Sequence, residues 1–222
     1  LDETGRQDDE NQTQVMLTKG FYLGKYEVTQ AQYETVMTDN IEGLNATPSE
    51  WSNNNNRPVE TVSWNDIQVF LSSLNDIEET AGRLPEGWKY VLPTEAQWEY
   101  ACRAGTTTKF YWGNKINSSH ANYNWDQTWN TGNDFKQTRD VGMYDPNPWG
   151  FFDMIGNVSE WVYSWWAVYP GVSQSDPEGA TFGSIRVKRG GNWGGWATLM
   201  RIADRAGDFP NIKRGNLGFR LA

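Results

Sequence analysis

The first half of the chain carries apolar residues at helical spacing behind capping signals. Thr29 and Gln32 have the spacing of a capping box, and an apolar stripe follows at Tyr33 and Met37. This pattern predicts a helix that begins just after Thr29. Residues 15–28, ahead of it, hold apolar and aromatic side chains interrupted by two glycines. That stretch predicts a pair of strands.

Two more helices are predicted in the same way. Ser63 and Asp66 form the capping signal of the second helix, and Thr94 and Gln97 form that of the third, which Gly105 ends. Both helices are then expected to turn an apolar face to the core. In the second helix, the apolar residues that keep the helical period are Trp64, Ile67, Phe70, Leu71, Leu74 and Ile77.

The helical period disappears after Phe110. Short apolar stretches then alternate with long loops rich in Asn, Gly, Asp and Trp, and the many aromatic residues favour ordered loops. The chain ends on the strand-like residues 217–221, which need a place inside a sheet. The loop before them, within residues 189–222, is therefore expected to be held at both ends, as binding loops on rigid scaffolds are. An ordinary glycine-rich connection is the alternative.

The composition excludes several classes of function. The net charge of −9 argues against nucleic acid and anionic membranes as partners, because both need a basic surface. No apolar run approaches the ~20 residues of a transmembrane helix. A length of 222 residues without a linker or repeat predicts one domain, and 13 Trp, 10 Tyr and 9 Phe can supply its core.

The chain has one cysteine and one histidine. These numbers exclude disulfides and Cys/His zinc sites, and they disfavour catalysis by a Ser-His or Cys-His pair. Cys102 falls on the same face of the third helix as Trp98, which predicts a buried, inert thiol. Residues 1–14 are acidic and polar, and we expect a disordered tail there, ahead of a single domain over residues 15–222.

Short blocks spread over residues 15–222 resemble one family. The blocks are YEVT at 26–29, RPV at 57–59, VSW at 62–64, LPTEAQWEYA at 92–101, NPWG at 147–150, GNVSEW at 156–161, RGG at 189–191 and GFR at 218–220. In this order they resemble the formylglycine-generating-enzyme, or sulfatase-modifying-factor, family. The resemblance implies an α+β, C-type-lectin-like fold, with two main helices on a small twisted antiparallel sheet and much irregular loop.

The resemblance does not extend to the catalytic residues. Enzymes of this family oxidise a substrate cysteine with two cysteines of their own, placed shortly after the Gly-Gly pair. The matching positions here fall near Gly195 and Met200, and neither residue has a thiol that could bind copper or form a mixed disulfide. We therefore expect a non-catalytic member without a catalytic cofactor. An oxidase of the formylglycine-generating type is the least favoured alternative.

Within the same fold family, the chain is most similar to the variable proteins of diversity-generating retroelements. In those proteins the last segment is rewritten at template adenines while framework residues are retained, and residues 189–222 match that segment. A fixed-specificity binding or structural member of the family is the alternative. The residues that the resemblance assigns to ligand binding are Gly194, Gly195, Trp196, Thr198, Leu199, Met200, Asp204, Ala206, Gly207, Asp208, Phe209, Ile212 and Lys213.

The variable residues alternate with framework residues, and we expect them to lie together on one exposed face. Trp196 and Phe209 are the expected anchors, since rigid exposed aromatic rings give a large contact area at low entropic cost. Apolar framework residues should turn into the core instead. They are Trp193, Ala197, Ile202, Ala203 and Leu217. The variable positions left facing solvent are 195, 196, 198, 199, 204, 206, 208, 209 and 212.

The resemblance also implies two structural calcium sites made of oxygen ligands. The first set of ligands is the side chains of Asn122 and Asp134 and the carbonyls of Tyr123 and of Phe135 or Lys136. The second set is the side chains of Asp153 and Glu160 and the carbonyls of Gly156 and Val158. As an alternative, the three acids are ordinary turn and cap residues.

A surface built to vary does not specify its ligand, so protein, peptide and glycan all stay open. Of these we favour a protein or another macromolecule, bound by a monomer. A diversified surface is useful outside the cell. We therefore expect display at the cell surface or in the extracellular space, through a lipid anchor on a preceding N-terminal segment.

Overall fold

The computed structural model of this chain describes residues 5–52, 54–126, 131–133 and 135–222. Its helices are α1 (Gln30–Met37), α2 (Trp64–Thr80) and α3 (Glu95–Arg103). Each begins at a complete capping box, in which the N-cap hydroxyl accepts from the N3 amide and the N3 side chain accepts from the N-cap amide. The three predicted helices and their caps are confirmed.

The strands are short and form two sheets. In chain order they are β1 (Val15–Met16), β2 (Ser159–Trp165), β3 (Gln174–Ser175), β4 (Arg186–Arg189), β5 (Arg205–Asp208) and β6 (Leu217–Phe219). The main sheet has the order β5-β4-β2-β6, and β1 pairs with β3 in a parallel two-stranded sheet. In the main sheet β2 pairs antiparallel with β4 but parallel with β6. It is therefore mixed rather than wholly antiparallel.

The strand pair expected in residues 15–28 is wrong. Only Val15–Met16 is a strand, and its partner is Gln174–Ser175, far along the chain. The later part of the stretch runs beside β6 instead. There Gly24 N donates to Leu221 O at 2.7 Å and Val28 N to Phe219 O at 2.9 Å. The backbone of this stretch thus pairs with the far end of the chain rather than within a local hairpin.

The main sheet separates two hydrophobic clusters. Consecutive residues of a strand point to opposite faces, and Trp161 and Val162 of β2 belong to different clusters. Residues of α1 and α2 pack with Trp161 and Phe219 on one face. Residues of α3 pack with Val162 on the other, together with the 3₁₀ helix Ala197–Met200.

Buried ion pairs fix both ends of residues 189–222. Arg189 contacts Glu99 through Nη2 and lies 3.4 Å from Glu95 through Nε. Arg220 donates to Glu160 from Nε at 2.7 Å and from Nη2 at 2.6 Å. Removing one partner of such a pair would cost ~3–5 kcal/mol, because a buried charge would be left alone. The segment is therefore held at its ends, as expected.

Candidate functional site

Three large apolar side chains of the C-terminal segment are exposed to solvent. Trp196 is 61% exposed and Leu199, in the 3₁₀ helix, is 39% exposed. Phe209, directly after β5, is 54% exposed. The expected exposure of Trp196 and Phe209 is confirmed. Exposed apolar side chains clustered within one segment commonly mark an interaction surface.

The framework residues behave largely as expected. Ala197, Ile202 and Leu217 are buried, whereas Trp193 and Ala203 are only half-buried. The Trp193 indole is held at the surface rather than in the core. It meets the ring of Trp51 edge-on at 5.8 Å between centroids, and its Nε1 donates to Gly215 O at 2.9 Å.

Three of the residues assigned to ligand binding are buried, which corrects the expected surface. Met200 has no exposed area, because the 3₁₀ helix turns it into the cluster that contains Ile202. Asp204 accepts hydrogen bonds from Gln7 and Arg201, at 3.0 and 3.3 Å, and these neighbours cover it. Gly195 is covered because its carbonyl accepts from Asn124 N at 2.9 Å.

The remaining candidates form two patches with different neighbours. The first, called here the 196–199 patch, consists of Trp196, Thr198 and Leu199. The second, the 208–213 patch, lies at the start of α2, where Asn65 N donates to Pro210 O at 3.1 Å and Lys213 lies 2.7 Å from Asp66. Its members are Asp208, Phe209, Ile212 and Lys213. Gly194 is exposed, and Ala206 and Gly207, in β5, are half-buried.

The described part of the N-terminal tail is docked rather than disordered. Glu10 is buried and pairs with Arg201 at 2.5 Å, and Gln7 donates to Asp204. The ordering comes from these ionic and polar contacts, formed about 190 positions apart in the chain. Residues 5–10 are called the N-terminal strap below. In the sequence, Glu10 is one of several acidic residues in a polar stretch, and nothing there indicates its ion pair with Arg201.

Burial controls the protonation of the Asp204 carboxyl, beside the 196–199 patch. It raises the pKa of the Asp204 carboxyl to about 7, although Arg201 and Arg189 act to lower that pKa. The Arg189 guanidinium also donates to the backbone oxygen of Asp204. The carboxyl is therefore held inside the segment by its neighbours and does not project to an incoming ligand.

The positions that match the catalytic cysteines of the family lie next to each other. A Cβ added to Gly195 would stand 2.8 Å from Met200 Cε, so the thioether fills the space beside the glycine. The thiol of Cys102 is elsewhere, buried in α3 with Sγ 3.8 Å from Met154 O. Burial raises the pKa of the Cys102 thiol far above its usual range. The predicted burial of this thiol is confirmed.

The first candidate calcium set is described only in part. Asp134 lies outside the described residues. Asn122 Nδ2 donates to Gln137 O at 3.0 Å, and the Tyr123 carbonyl accepts from Asn133 N at 2.9 Å. Lys136 has a left-handed backbone, with φ of 54°. The described ranges hold no group of three or more His, Cys, Asp or Glu side chains that could bind a metal ion.

The second candidate set has the negative charge that a cation requires, but its ligand Glu160 already accepts hydrogen bonds from other residues. Burial, followed by repulsion from Asp153 and Glu160, raises the pKa of Glu27, and burial raises that of Asp153 to about 6. Of these buried carboxyls, Glu160 pairs with the Arg220 guanidinium, whose charge acts to lower the pKa of Glu27 and of Asp153. Both Glu160 oxygens accept hydrogen bonds, from Arg220 and from Trp98 Nε1. The oxygen donors fit calcium in type, but Glu160 would have to change partners.

Comparison with known proteins places this geometry in a family. Residues 2–222 match the sulfatase-modifying factor enzyme 1-like domain. The chain belongs to this family. It is 36% identical over 178 residues to the formylglycine-generating enzyme of Mus musculus, covering 75% of this chain and 44% of that relative. The chain thus spans less than half the length of the mouse enzyme.

Solved structures agree with the family and the fold. Treponema denticola variable protein 1 superposes with a TM-score of 0.72 at 29% identity, over 90% of this chain and 82% of that one. PvdO from Pseudomonas aeruginosa superposes with a TM-score of 0.81 at 25% identity, over 99% and 87%. The α+β, C-type-lectin-like fold class and the resemblance to a variable protein are confirmed.

Proposed function

We propose that this protein is a non-catalytic ligand-binding protein that displays a diversified C-terminal surface on a C-type-lectin-like scaffold. The observation that carries the proposal is the exposure of Trp196, Leu199 and Phe209 within a segment whose ends are fixed by buried ion pairs. Such side chains can change with little effect on stability, and a rigid frame limits the ordering entropy lost on binding. The likeness to a variable protein supports the same function.

The burial pattern narrows the ligand-binding residues. Gly195, Met200 and Asp204 are buried, so a ligand would not reach them in this arrangement. The proposed contact residues are Gly194, Trp196, Thr198, Leu199, Ala206, Gly207, Asp208, Phe209, Ile212 and Lys213. Trp196 and Phe209 would be the anchors of the two patches, with Asp208 and Lys213 supplying charge at the edge of the second.

Relatives that are formylglycine-generating enzymes favour an oxidase as the alternative function. The pair of Gly195 and Met200 argues against it, because neither residue can form a thiolate. We expect an oxidase assay on a cysteine-containing sulfatase peptide to give no product, with or without copper. Product formation would establish the enzyme, and the next variant would then be Cys102→Ser.

Sequencing tests the proposed diversification. A near-copy of the DNA for residues 189–222 should lie close to the gene, differ from it at adenines and neighbour a reverse transcriptase gene. In a population of cells, substitutions should then concentrate at the codons of Trp196, Leu199 and Phe209 and spare those of Arg189 and Arg220. An invariant segment without a near-copy would support a fixed-specificity member instead.

We further propose a structural role for calcium, held by the side chains and carbonyls of the two candidate sets, which would stabilise the long loops around them.

Among the described residues, none of the helices is both long and apolar enough to cross a bilayer. The proposal includes a monomer, displayed at the cell surface or outside the cell, with a protein or other macromolecule as ligand. A diversified binding surface is useful only where varied ligands are met.

A further inference from the structure

The N-terminal strap contacts the C-terminal segment at Asp204, through Gln7, and above all at one buried guanidinium. The Arg201 side chain is 2% exposed, and its Nη1 and Nη2 donate to the Glu10 carboxylate at 2.5 and 2.6 Å. Nη2 also donates to Gly5 O at 2.5 Å. Within the strap, Gln7 N donates to Glu10 Oε1 at 3.1 Å, which orients the carboxylate. A bidentate arginine–carboxylate contact of this kind is the strongest form of the pair.

The strap brings no apolar side chain to this contact. Residues 5–10 read GRQDDE, and residues 11–14 that follow are NQTQ. Its attachment therefore consists of the ion pair, hydrogen bonds and the close approach of Gly5 to Thr198, where an added Cβ would lie 3.2 Å from the threonine side chain. Segments with few buried apolar contacts open locally without unfolding the core.

Arg201 is also held from the side of the C-terminal segment. Its Nε donates to Thr198 O at 2.9 Å, and its Nη2 lies 3.3 Å from Asp204 Oδ1. The contact with Thr198 does not involve the strap, whereas Asp204 Oδ1 also accepts from Gln7. Without the Glu10 carboxylate, the bond from Nε to Thr198 would keep the guanidinium aimed at the place that Glu10 occupied, and its planar fork matches a carboxylate in two hydrogen bonds.

This place adjoins the 196–199 patch. Thr198 contacts both the strap, through Gly5, and the guanidinium, through its carbonyl. Leu199 and Trp196, its neighbours in sequence, are exposed. A polypeptide that packs apolar side chains on Trp196 and Leu199 could therefore place an acidic side chain at Arg201, but only after the strap has moved.

We propose that Arg201 forms a carboxylate-binding site, that Glu10 occupies it as a built-in ligand, and that an acidic residue of a polypeptide ligand displaces Glu10. This proposal rests on the proposed function for the identity of the 196–199 patch as a binding surface. The closed strap would lower the apparent affinity of a competing ligand in proportion to the fraction of molecules that are open.

The test uses the full chain and a dye-labelled peptide with the sequence of residues 5–14. Binding is measured by fluorescence anisotropy to the wild type and to Glu10→Ala, which vacates the site. The expected affinity for Glu10→Ala is at least ~10-fold higher than for the wild type, because the strap no longer competes. The same peptide with glutamine in place of glutamate should bind Glu10→Ala at least ~10-fold more weakly.

Asp8→Ala is the matched control, since Asp8 is an exposed acid of the same strap. It should bind the peptide as the wild type does. Hydrogen exchange at residues 5–10 should rise in Glu10→Ala. Because the open strap lets water reach the Arg201 guanidinium, its charge is no longer buried without a partner, and the Tm should stay within ~3 °C of that of Asp8→Ala. A far larger fall in Tm would mean that the strap is a structural support and would overturn the proposal.

Equal peptide binding by Glu10→Ala and the wild type, or binding by neither, would overturn it as well. Arg201→Lys in the Glu10→Ala background keeps the charge but loses the fork, and it should weaken binding of the peptide. The peptide experiment is independent of diversification. If the peptide binds as expected but the genome contains no template copy, the carboxylate site is established and the proposed diversification is wrong.

Discussion

At Asp204, burial outweighs two neighbouring guanidinium groups. The carboxyl lies close to Arg201 and Arg189, which favour its charged form, yet burial raises its pKa to about 7. The folded state therefore holds this proton more tightly than the unfolded chain, where an aspartate has a pKa of ~3.9. Between about pH 4 and pH 7 the folded state binds more protons, so the contribution of Asp204 to stability falls as the pH rises.

Replacing Asp204 with asparagine should remove this pH dependence. At pH 5 the folded wild type carries a neutral Asp204, which Asn imitates, whereas at pH 8 the wild type must bury a charge. We expect the free energy of unfolding of Asp204→Asn, relative to the wild type, to rise by on the order of 2 kcal/mol between pH 5 and pH 8. Urea denaturation at the two pH values measures it. A constant difference would show that the carboxyl titrates normally.

At the scale of elements, the C-terminal segment is not equally tolerant along its length. In β5, a Cβ at Gly207 would lie 2.5 Å from Ile185 Cγ2 and 3.1 Å from Arg186 O. At Gly194 the nearest atom, Asn192 Oδ1, would be 3.4 Å away, an ordinary contact. Both glycines were assigned to the variable surface, but only Gly194 has room for a side chain.

Alanine at these two positions should therefore have different effects. We expect Gly207→Ala to lower the free energy of unfolding by ~1–3 kcal/mol, because backbone and the Ile185 side chain would have to move. Gly194→Ala serves as the matched variant and should stay within ~0.5 kcal/mol of the wild type. Chemical denaturation of both variants and the wild type measures these differences in the free energy of unfolding. Equal stability would mean that β5 tolerates diversity as well as the exposed loop does.

Elements differed in how far the sequence could predict them. The helices were predictable because a capping box lies within four residues, as at Ser63 and Asp66. The strand predicted at residues 217–221 is confirmed as β6, which pairs with β2. The pairing of β1 was not predictable, because its partner lies about 160 positions away in the chain. The burial of Met200 and Asp204 also escaped prediction. It depends on the turn of a 3₁₀ helix and on the N-terminal strap, and neither leaves a periodic signal in the sequence.

At the scale of the whole molecule, polar side chains order the long loops. Asn157 Nδ2 donates to Glu27 at 2.7 Å, and its Oδ1 accepts from Arg139 N at 2.9 Å. Asn147 Nδ2 donates to Ala101 O at 2.7 Å, which ties the loop before β2 to α3. The loops that the aromatic content predicted to be ordered are thus also held by buried amides, each linking segments distant in sequence. Fold recognition came from the short blocks that contain these residues.

The proposed calcium ion of the second set would neutralise buried acids next to these loops. Glu160 pairs with Arg220, and burial together with repulsion from Glu160 raises the pKa values of Glu27 and Asp153. A cation bound to the folded state alone stabilises it by mass action, by ~2.7 kcal/mol at a concentration 100 times the Kd. For a chain of this size, that corresponds to a rise in Tm of ~5–10 °C.

We therefore expect calorimetry to give a higher Tm in excess calcium than in excess chelator. Asp153→Asn should lose part of this difference, since it removes a charged ligand of the second set and leaves the first set intact. Glu78→Gln, which changes an acid of an ion pair with Arg83 at the C-terminal end of α2, is the control and should keep the full difference. An identical Tm in calcium and chelator would exclude a structural calcium ion and leave the acids as turn and ion-pair residues.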